Sequence, residues 1–362
     1  VILLNPGPVN VSARVRQALL RDDICHREEE FSSLLRDIQS KLIQAFAHDQ
    51  DYLAVVISCS GTAAVEAAIS SAVAPGTKVL VIKNGVYGER MAEIARAYRL
   101  GRFELASDWT QPPPLDQIEM ALNDDPSIQV IAMVHHETTT GLRNPVEAVG
   151  ELAHRYEKVF LVDAVSAIAG EPIDLEASHI DILAGTAGKC IQGFPGVSFL
   201  LVRDAFMETM RTYPKRSVFL HLPSYCREDD VPSVPFTPSV QIHYAFHEAL
   251  VELLDEGVDQ RIDRYHRVSR YLRERFRGLA LQCLVPEEHG SNTITAVWLP
   301  APLTYVELHD QLKAKGFVIY AGQGALHSKI FRVANMGALT QSDFEGFIGA
   351  LEQVCQNTGV ET

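Results

Sequence analysis

Short runs of consecutive apolar residues alternate with stretches in which apolar residues return every third or fourth position. The runs at 53–58, 79–83, 130–135, 159–163, 180–184 and 197–202 read as strands. Between them, 62–73, 88–98 and 146–156 carry helical spacing. Strands without polar alternation are buried on both faces, so the pattern predicts an α/β fold: a mostly parallel sheet covered by helices. After about Pro238 the character changes. Long helices over 241–254 and 262–279 precede short strands at 293–299, 317–320 and 330–333, with helices at 305–315 and 341–356. That is an α+β pattern, and it predicts a large domain to about residue 240 and a smaller one over 241–362. The proline run at 112–114 reads as a loop.

Composition narrows the classes. The 362 residues are 47% hydrophobic and 22% charged, which suits a globular chain with a sizeable core. Lysine and arginine total 32 against 46 acidic residues, a net charge of −14, so nucleic acid is not an expected partner. Six cysteines without a CxxC pair predict free thiols in a reducing, cytoplasmic compartment. No secretory leader and no membrane span are expected.

In a parallel sheet, ligands bind beyond the carboxyl ends of the strands. Several such ends carry polar residues. Ser60, Gly61 and Thr62 open a helix, where free N–H groups favour an anion; an ordinary helix cap is the competing reading. Tyr87, between Gly85 and Gly88, could stack on a flat ligand or merely pack under a loop. The run His135-His136-Glu137-Thr138-Thr139-Thr140-Gly141 crowds hydroxyls at a strand end, or forms a polar turn. Its histidines lack metal-ligand spacing, so no metal is expected. Asp163 ends an apolar strand, where a carboxylate usually has a cationic partner. Lys189 follows another short strand among small residues. A lysine amine can form a Schiff base with an aldehyde, and a carboxylate can keep a pyridine nitrogen protonated. Together these groups match the phosphate, ring face, ring oxygen, ring nitrogen and aldehyde of pyridoxal 5'-phosphate. Arg332, inside an apolar strand, offers a fork for a substrate anion or a structural ion pair.

At these residues the chain resembles the class V aminotransferases, pyridoxal phosphate enzymes of fold type I. The likeness is carried by Leu3-Leu4-Asn5-Pro6-Gly7-Pro8, Ser60-Gly61-Thr62, Asn84-Gly85-Val86-Tyr87-Gly88, His136-Glu137-Thr138-Thr139-Thr140-Gly141, Val162-Asp163-Ala164 and residues 189–196. The resemblance implies that Lys189 carries the cofactor, Asp163 meets its ring nitrogen, Tyr87 covers its ring and Thr138 meets its ring oxygen. It implies that Ser60, Gly61 and Thr62 hold the phosphate, joined by Thr237 from the neighbouring subunit of a homodimer. Arg332 is then the substrate-carboxylate residue. Pro6 and Gly7 belong to an N-terminal segment, 1–15, closing over the site, which leaves 16–240 as the large cofactor domain. His26 and Arg27 stand as possible substrate contacts.

The implied reaction moves an amino group from a small amine to a keto acid such as pyruvate, with an aminophosphonate as the leading donor. Two departures bear on the donor. Gly188 stands where the phosphonate-handling members tend to have asparagine. Residues 25–31 are more like the alanine–glyoxylate and serine–pyruvate group, which is the alternative. A desulfurase needs a reactive cysteine on a mobile loop; Cys283 and Cys355 lie in or beside regular segments. A scaffold that had lost catalysis would have replaced Lys189 or Asp163.

Overall fold

The computed structural model describes residues 1–47, 51–226 and 234–357. Seven strands form the central sheet in the order Tyr52–Ile57, Ser198–Arg203, Ile182–Thr186, Val159–Asp163, Ile128–Val134, Lys78–Lys83, Gly101–Ala106. Ser198–Arg203 runs antiparallel to both neighbours, and the other pairings are parallel. The six unidirectional strands therefore end at one edge, which collects the loops that follow them.

Successive residues of each strand enter different cores. Leu80, Ile82, Ile131 and Met133 pack on one face. Val79, Val81, Val130 and Ala132 pack on the other. This is the physical meaning of the unbroken apolar runs: both faces are covered, and each buried side chain of this size contributes about 1.5–3 kcal/mol. Gly61–Ala72 covers the second face, Glu29–Phe46 and Val240–Glu256 the first.

A second sheet of three antiparallel strands, Ile294–Trp298, Ile330–Ala334 and Tyr320–Ala321, has Ile330–Ala334 in the middle. A third apolar core around Phe276, Phe331 and Phe347 lies beneath it and includes Leu4. The chain start is tied here: Ile2–Leu3 pairs parallel with Phe317–Val318, and the Ala334 N–H donates to the Leu4 carbonyl at 2.8 Å.

The structure extends and corrects the periodicity reading. Gly101–Ala106 and the helices Ala13–Ala18, Glu29–Phe46, Leu115–Asp124 and Asp204–Arg211 were not anticipated. Glu29–Phe46 had a legible signal in Phe31, Leu34, Leu35, Ile38 and Leu42, all buried on one face. Gly101–Ala106 is an edge strand with exposed residues and lacks the apolar run that marked its neighbours. The strand expected at 317–320 is two strands: Phe317–Val318 pairs with the chain start, and Tyr320–Ala321 joins the second sheet. Among the described residues no helix is long and apolar enough to cross a membrane.

Candidate active site

Five strand ends converge. Ser60 caps the helix Gly61–Ala72, its Oγ accepting from the Ala63 N–H at 3.3 Å. A Cβ on Gly61 would lie 2.6 Å from the Val165 side chain, so only glycine lets this helix start approach the Asp163 strand end. The first-turn N–H groups and the helix dipole there favour an anion.

Tyr87 lies in the first turn of Val86–Ala97, and the Glu137 carboxylate fastens that turn. Glu137 accepts from the N–H groups of Tyr87 (3.1 Å) and Gly88 (3.3 Å), and from the Thr139 hydroxyl at 2.6 Å. A Cβ on Gly85 would fall 2.1 Å from the Glu137 side chain. The glycines flanking Tyr87 thus serve close approach rather than a left-handed turn; Gly88 packs 2.8 Å, at its would-be Cβ, from the Ile82 carbonyl. Burial pushes the Glu137 carboxyl up to about 6. Arg90, one turn on, lies 4.6 Å from the Tyr87 ring centroid and donates to the Thr62 hydroxyl at 3.1 Å. Neither Glu137 nor Arg90 had been assigned a role from sequence. The i,i+3 spacing of Tyr87 and Arg90 was the available signal.

Asp163 is buried, and one oxygen accepts from the Val165 N–H at 3.0 Å. The cationic partner expected beside it is not there: among the described residues no salt bridge reaches it. Lys189 and Arg90 act on it only at longer range, and burial pushes its carboxyl up to about 6. Its side chain lines a cavity shared with Gly61, Thr62, Tyr87, Arg90 and Val165.

Lys189 follows Ile182–Thr186. Its Nζ donates to the Pro6 carbonyl, which places the N-terminal segment directly on it. Gly7 takes φ +113 there, a conformation that favours glycine. Burial pulls the Lys189 ammonium below its ordinary range. The loop after it is held from the helix Val258–Gly278. Arg261 donates to the Ile191 carbonyl at 3.2 Å, and the Tyr265 hydroxyl to the Cys190 carbonyl at 3.2 Å.

Thr138 is buried with its Oγ1 unpartnered, while its carbonyl accepts from Arg332 Nη1 at 2.7 Å. The hairpin after Ile128–Val134 therefore links the two sheets, and Gly141, at φ +79, turns it. Arg332 is 1% exposed, and burial lowers its pKa.

Three expected residues are not joined to this cluster in the single chain. Thr237 is exposed and makes no hydrogen bond among the described residues; two residues on, the Ser239 N–H donates to Ser58 at 3.0 Å. Arg27 is exposed, and His26 is half-buried with an unpartnered Nε2.

A buried carboxylate and an anion-favouring helix start line one cavity, and a lysine whose pKa burial lowers and an unpartnered hydroxyl follow neighbouring strands at the same sheet edge. These are the groups that could hold pyridoxal 5'-phosphate: Asp163 for the ring nitrogen, Thr138 for the ring oxygen, residues 60–62 for the phosphate and Lys189 for the aldehyde. The architecture is that of the fold type I pyridoxal phosphate enzymes. The chain matches the family "Aminotransferase class-V" over residues 13–335 and belongs to it; it is a pyridoxal 5'-phosphate-dependent aminotransferase, acting between an amine donor and a keto acid.

Among its relatives, a 2-aminoethylphosphonate–pyruvate transaminase of Salmonella heidelberg (strain SL476) is 37% identical over 354 residues, 97% of this chain and 96% of the relative. The solved structure of an alanine–glyoxylate aminotransferase from Nostoc sp. is similar at TM-score 0.90 and 30% identity, covering 98% of this chain and 94% of that one. A pyridoxamine–pyruvate aminotransferase from Mesorhizobium loti reaches TM-score 0.92 at 25% identity, over 100% of this chain and 93% of that one.

Proposed function

We propose that this aminotransferase takes its amino group from 2-aminoethylphosphonate, or a related small aminophosphonate, and delivers it to pyruvate, giving alanine and an aldehyde. The observation that carries the donor is the likeness of nearly the whole chain to enzymes named for that reaction, at 37% identity. The buried Arg332 guanidinium agrees with it, since both substrates present an anion.

Bound pyridoxal phosphate supplies an electron sink conjugated to the reacting carbon. The chain's own groups do the rest. Lys189 Nζ, whose pKa burial lowers, takes the proton from the donor carbon and returns it to the cofactor's aldehyde carbon. The Asp163 carboxylate keeps the ring nitrogen protonated, and that cationic N–H in turn offsets the carboxylate's cost of burial. Tyr87 covers the ring, its position fixed by Glu137. Thr138 Oγ1 meets the ring oxygen, and Ser60, Gly61 and Thr62 bind the phosphate. Pro6 and Gly7 close the site from the chain start. Thr237 reaches the phosphate of a second copy, which makes the working unit a homodimer; His26 and Arg27 act as substrate contacts. We divide the chain into segment 1–15, a cofactor domain 16–240 and a small domain 241–362. We place it in the cytoplasm, where all six cysteines would stay reduced.

A donor panel with pyruvate as acceptor, scored by alanine formed, tests the assignment. 2-Aminoethylphosphonate should exceed every amino acid in kcat/KM. Faster turnover of alanine or serine with glyoxylate would replace it with the alanine–glyoxylate reading, which residues 25–31 and the 30%-identical Nostoc structure favour.

A further inference from the structure

Arg332 is a buried cation held by neutral oxygens. Its Nε donates to the Ala321 carbonyl at 2.8 Å. Its Nη1 donates to the Thr138 carbonyl at 2.7 Å and to Gln323 Oε1 at 3.1 Å. The Tyr320 ring centroid is 5.6 Å from its Cζ. Among the described residues no carboxylate comes within the 4.0 Å of a salt bridge. Both Nη1 hydrogens and the Nε hydrogen are thus engaged. Among the described residues Nη2 makes no hydrogen bond.

A carboxylate or phosphonate gripped through two oxygens needs two neighbouring nitrogens. Nη2 alone cannot provide the fork. One of the three oxygens must give way, and they differ. Ala321 O belongs to a strand, and Thr138 O to the tight turn closed by the Thr140 and Gly141 N–H groups on the Glu137 carbonyl, so both are backbone oxygens held in place. Gln323 Oε1 sits on a half-buried side chain, and its bond is the longest of the three. It lies just before the short turn Gly324–Leu326, whose first residue packs against Trp109; a Cβ there would be 3.0 Å from the indole.

We propose that Gln323 is a placeholder: its Oε1 occupies Nη1 while the site is empty and is exchanged for an oxygen of the substrate anion. This rests on the reading of Arg332 as the substrate-anion residue. The exchange replaces one neutral acceptor by one charged acceptor on the same nitrogen, so binding does not leave Nη1 unsatisfied at any stage. It also sets how tightly any anion is held, because each must compete with the amide. Since donor, product and acceptor use the fork in turn, that competition speeds the release of each.

The test measures binding of two anions that cannot transaminate, propionate and methylphosphonate, to the cofactor-loaded protein by the change in tryptophan fluorescence or cofactor absorbance. Gln323→Ala should tighten both by about three- to tenfold, the value of one neutral hydrogen bond removed from competition. Gln323→Glu should weaken both by more than about tenfold, because a carboxylate would not yield the guanidinium. Unchanged or weaker binding in Gln323→Ala, with cofactor absorbance and melting temperature intact, overturns the placeholder. Arg332→Ala separates the two ideas. If it binds both probes as well as wild type, the substrate-anion reading itself fails. If it loses both while Gln323→Ala gains nothing, only the exchange is wrong.

Discussion

At the Asp163 end of the site, loops after parallel strands leave polar atoms waiting: one Asp163 oxygen opens on the cavity and Thr138 Oγ1 has no partner. At the Arg332 end, on the antiparallel C-terminal sheet, three oxygens already hold the guanidinium. The difference follows from the chemistry each end serves. A resident cofactor stays through turnover, so its partners can be left unsatisfied by protein at a cost that the cofactor offsets. Substrate anions come and go, and a bare buried cation between visits would cost far more. The first end is preformed for a permanent guest, and the second is built for exchange.

Four substitutions break or sharpen that contrast. Lys189→Ala should have the largest effect, lowering kcat by at least about a thousandfold, since it removes the proton-carrying amine. Borohydride reduction followed by mass spectrometry should find the cofactor on Lys189 in wild type; an adduct on another lysine would sink the assignment. Asp163→Asn should lower kcat by about ten- to a hundredfold, the value of a charge-assisted hydrogen bond, with a smaller change in cofactor affinity. Near wild-type turnover would make Asp163 structural and remove the permanent-guest half of the contrast.

Thr138→Val tests the waiting atoms directly. Without cofactor the variant should be as stable as wild type or more so, because an unpartnered buried hydroxyl has gone. With cofactor, affinity should fall about two- to tenfold. A loss of stability in the cofactor-free protein would show that the hydroxyl already has a partner.

The smallest effect lies at Glu171, buried where the two sheets meet. One of its oxygens accepts from the Asn292 N–H at 2.6 Å, and the other is unpartnered. Burial pushes its carboxyl up to about 8, against an ordinary 4.5. The folded state therefore holds a proton that the unfolded state releases above about 4.5, so this group's contribution to stability falls as pH rises from about 4.5 to 8. Glu171→Gln cannot titrate, and its melting temperature relative to wild type should climb by a few degrees between pH 5 and pH 8. A constant difference would mean that Glu171 stays ionised throughout, paired with a cation at the sheet junction.

Much of the cofactor end was legible in the chain because its residues follow strands that announce themselves. Val159–Asp163 stands where the apolar run put it, and Lys189 follows Ile182–Thr186, two residues later than the run suggested. The expected cation beside Asp163 is missing because that carboxylate faces a cavity rather than a charged side chain in hydrogen-bond reach. Gln323 left no trace in the pattern: it is one polar residue in a loop of the second sheet, and its meaning comes from Arg332 nine residues further on. Glu137 was visible in its run, but its work is done on a helix start fifty residues earlier in the chain.

Local order along the chain was enough to determine the alternation of strands and helices, the edge on which a site must form, and the residue types able to bind pyridoxal phosphate. Periodicity and turn chemistry act over a few residues, so a single chain displays them. The tertiary structure alone decided that Ser198–Arg203 runs against its neighbours, that the Pro6 carbonyl is the atom meeting Lys189 Nζ, and that Thr138 and Gln323 share one guanidinium nitrogen. Each joins segments far apart in sequence, and their contacts are set by how the sheets twist and pack, which no local pattern encodes.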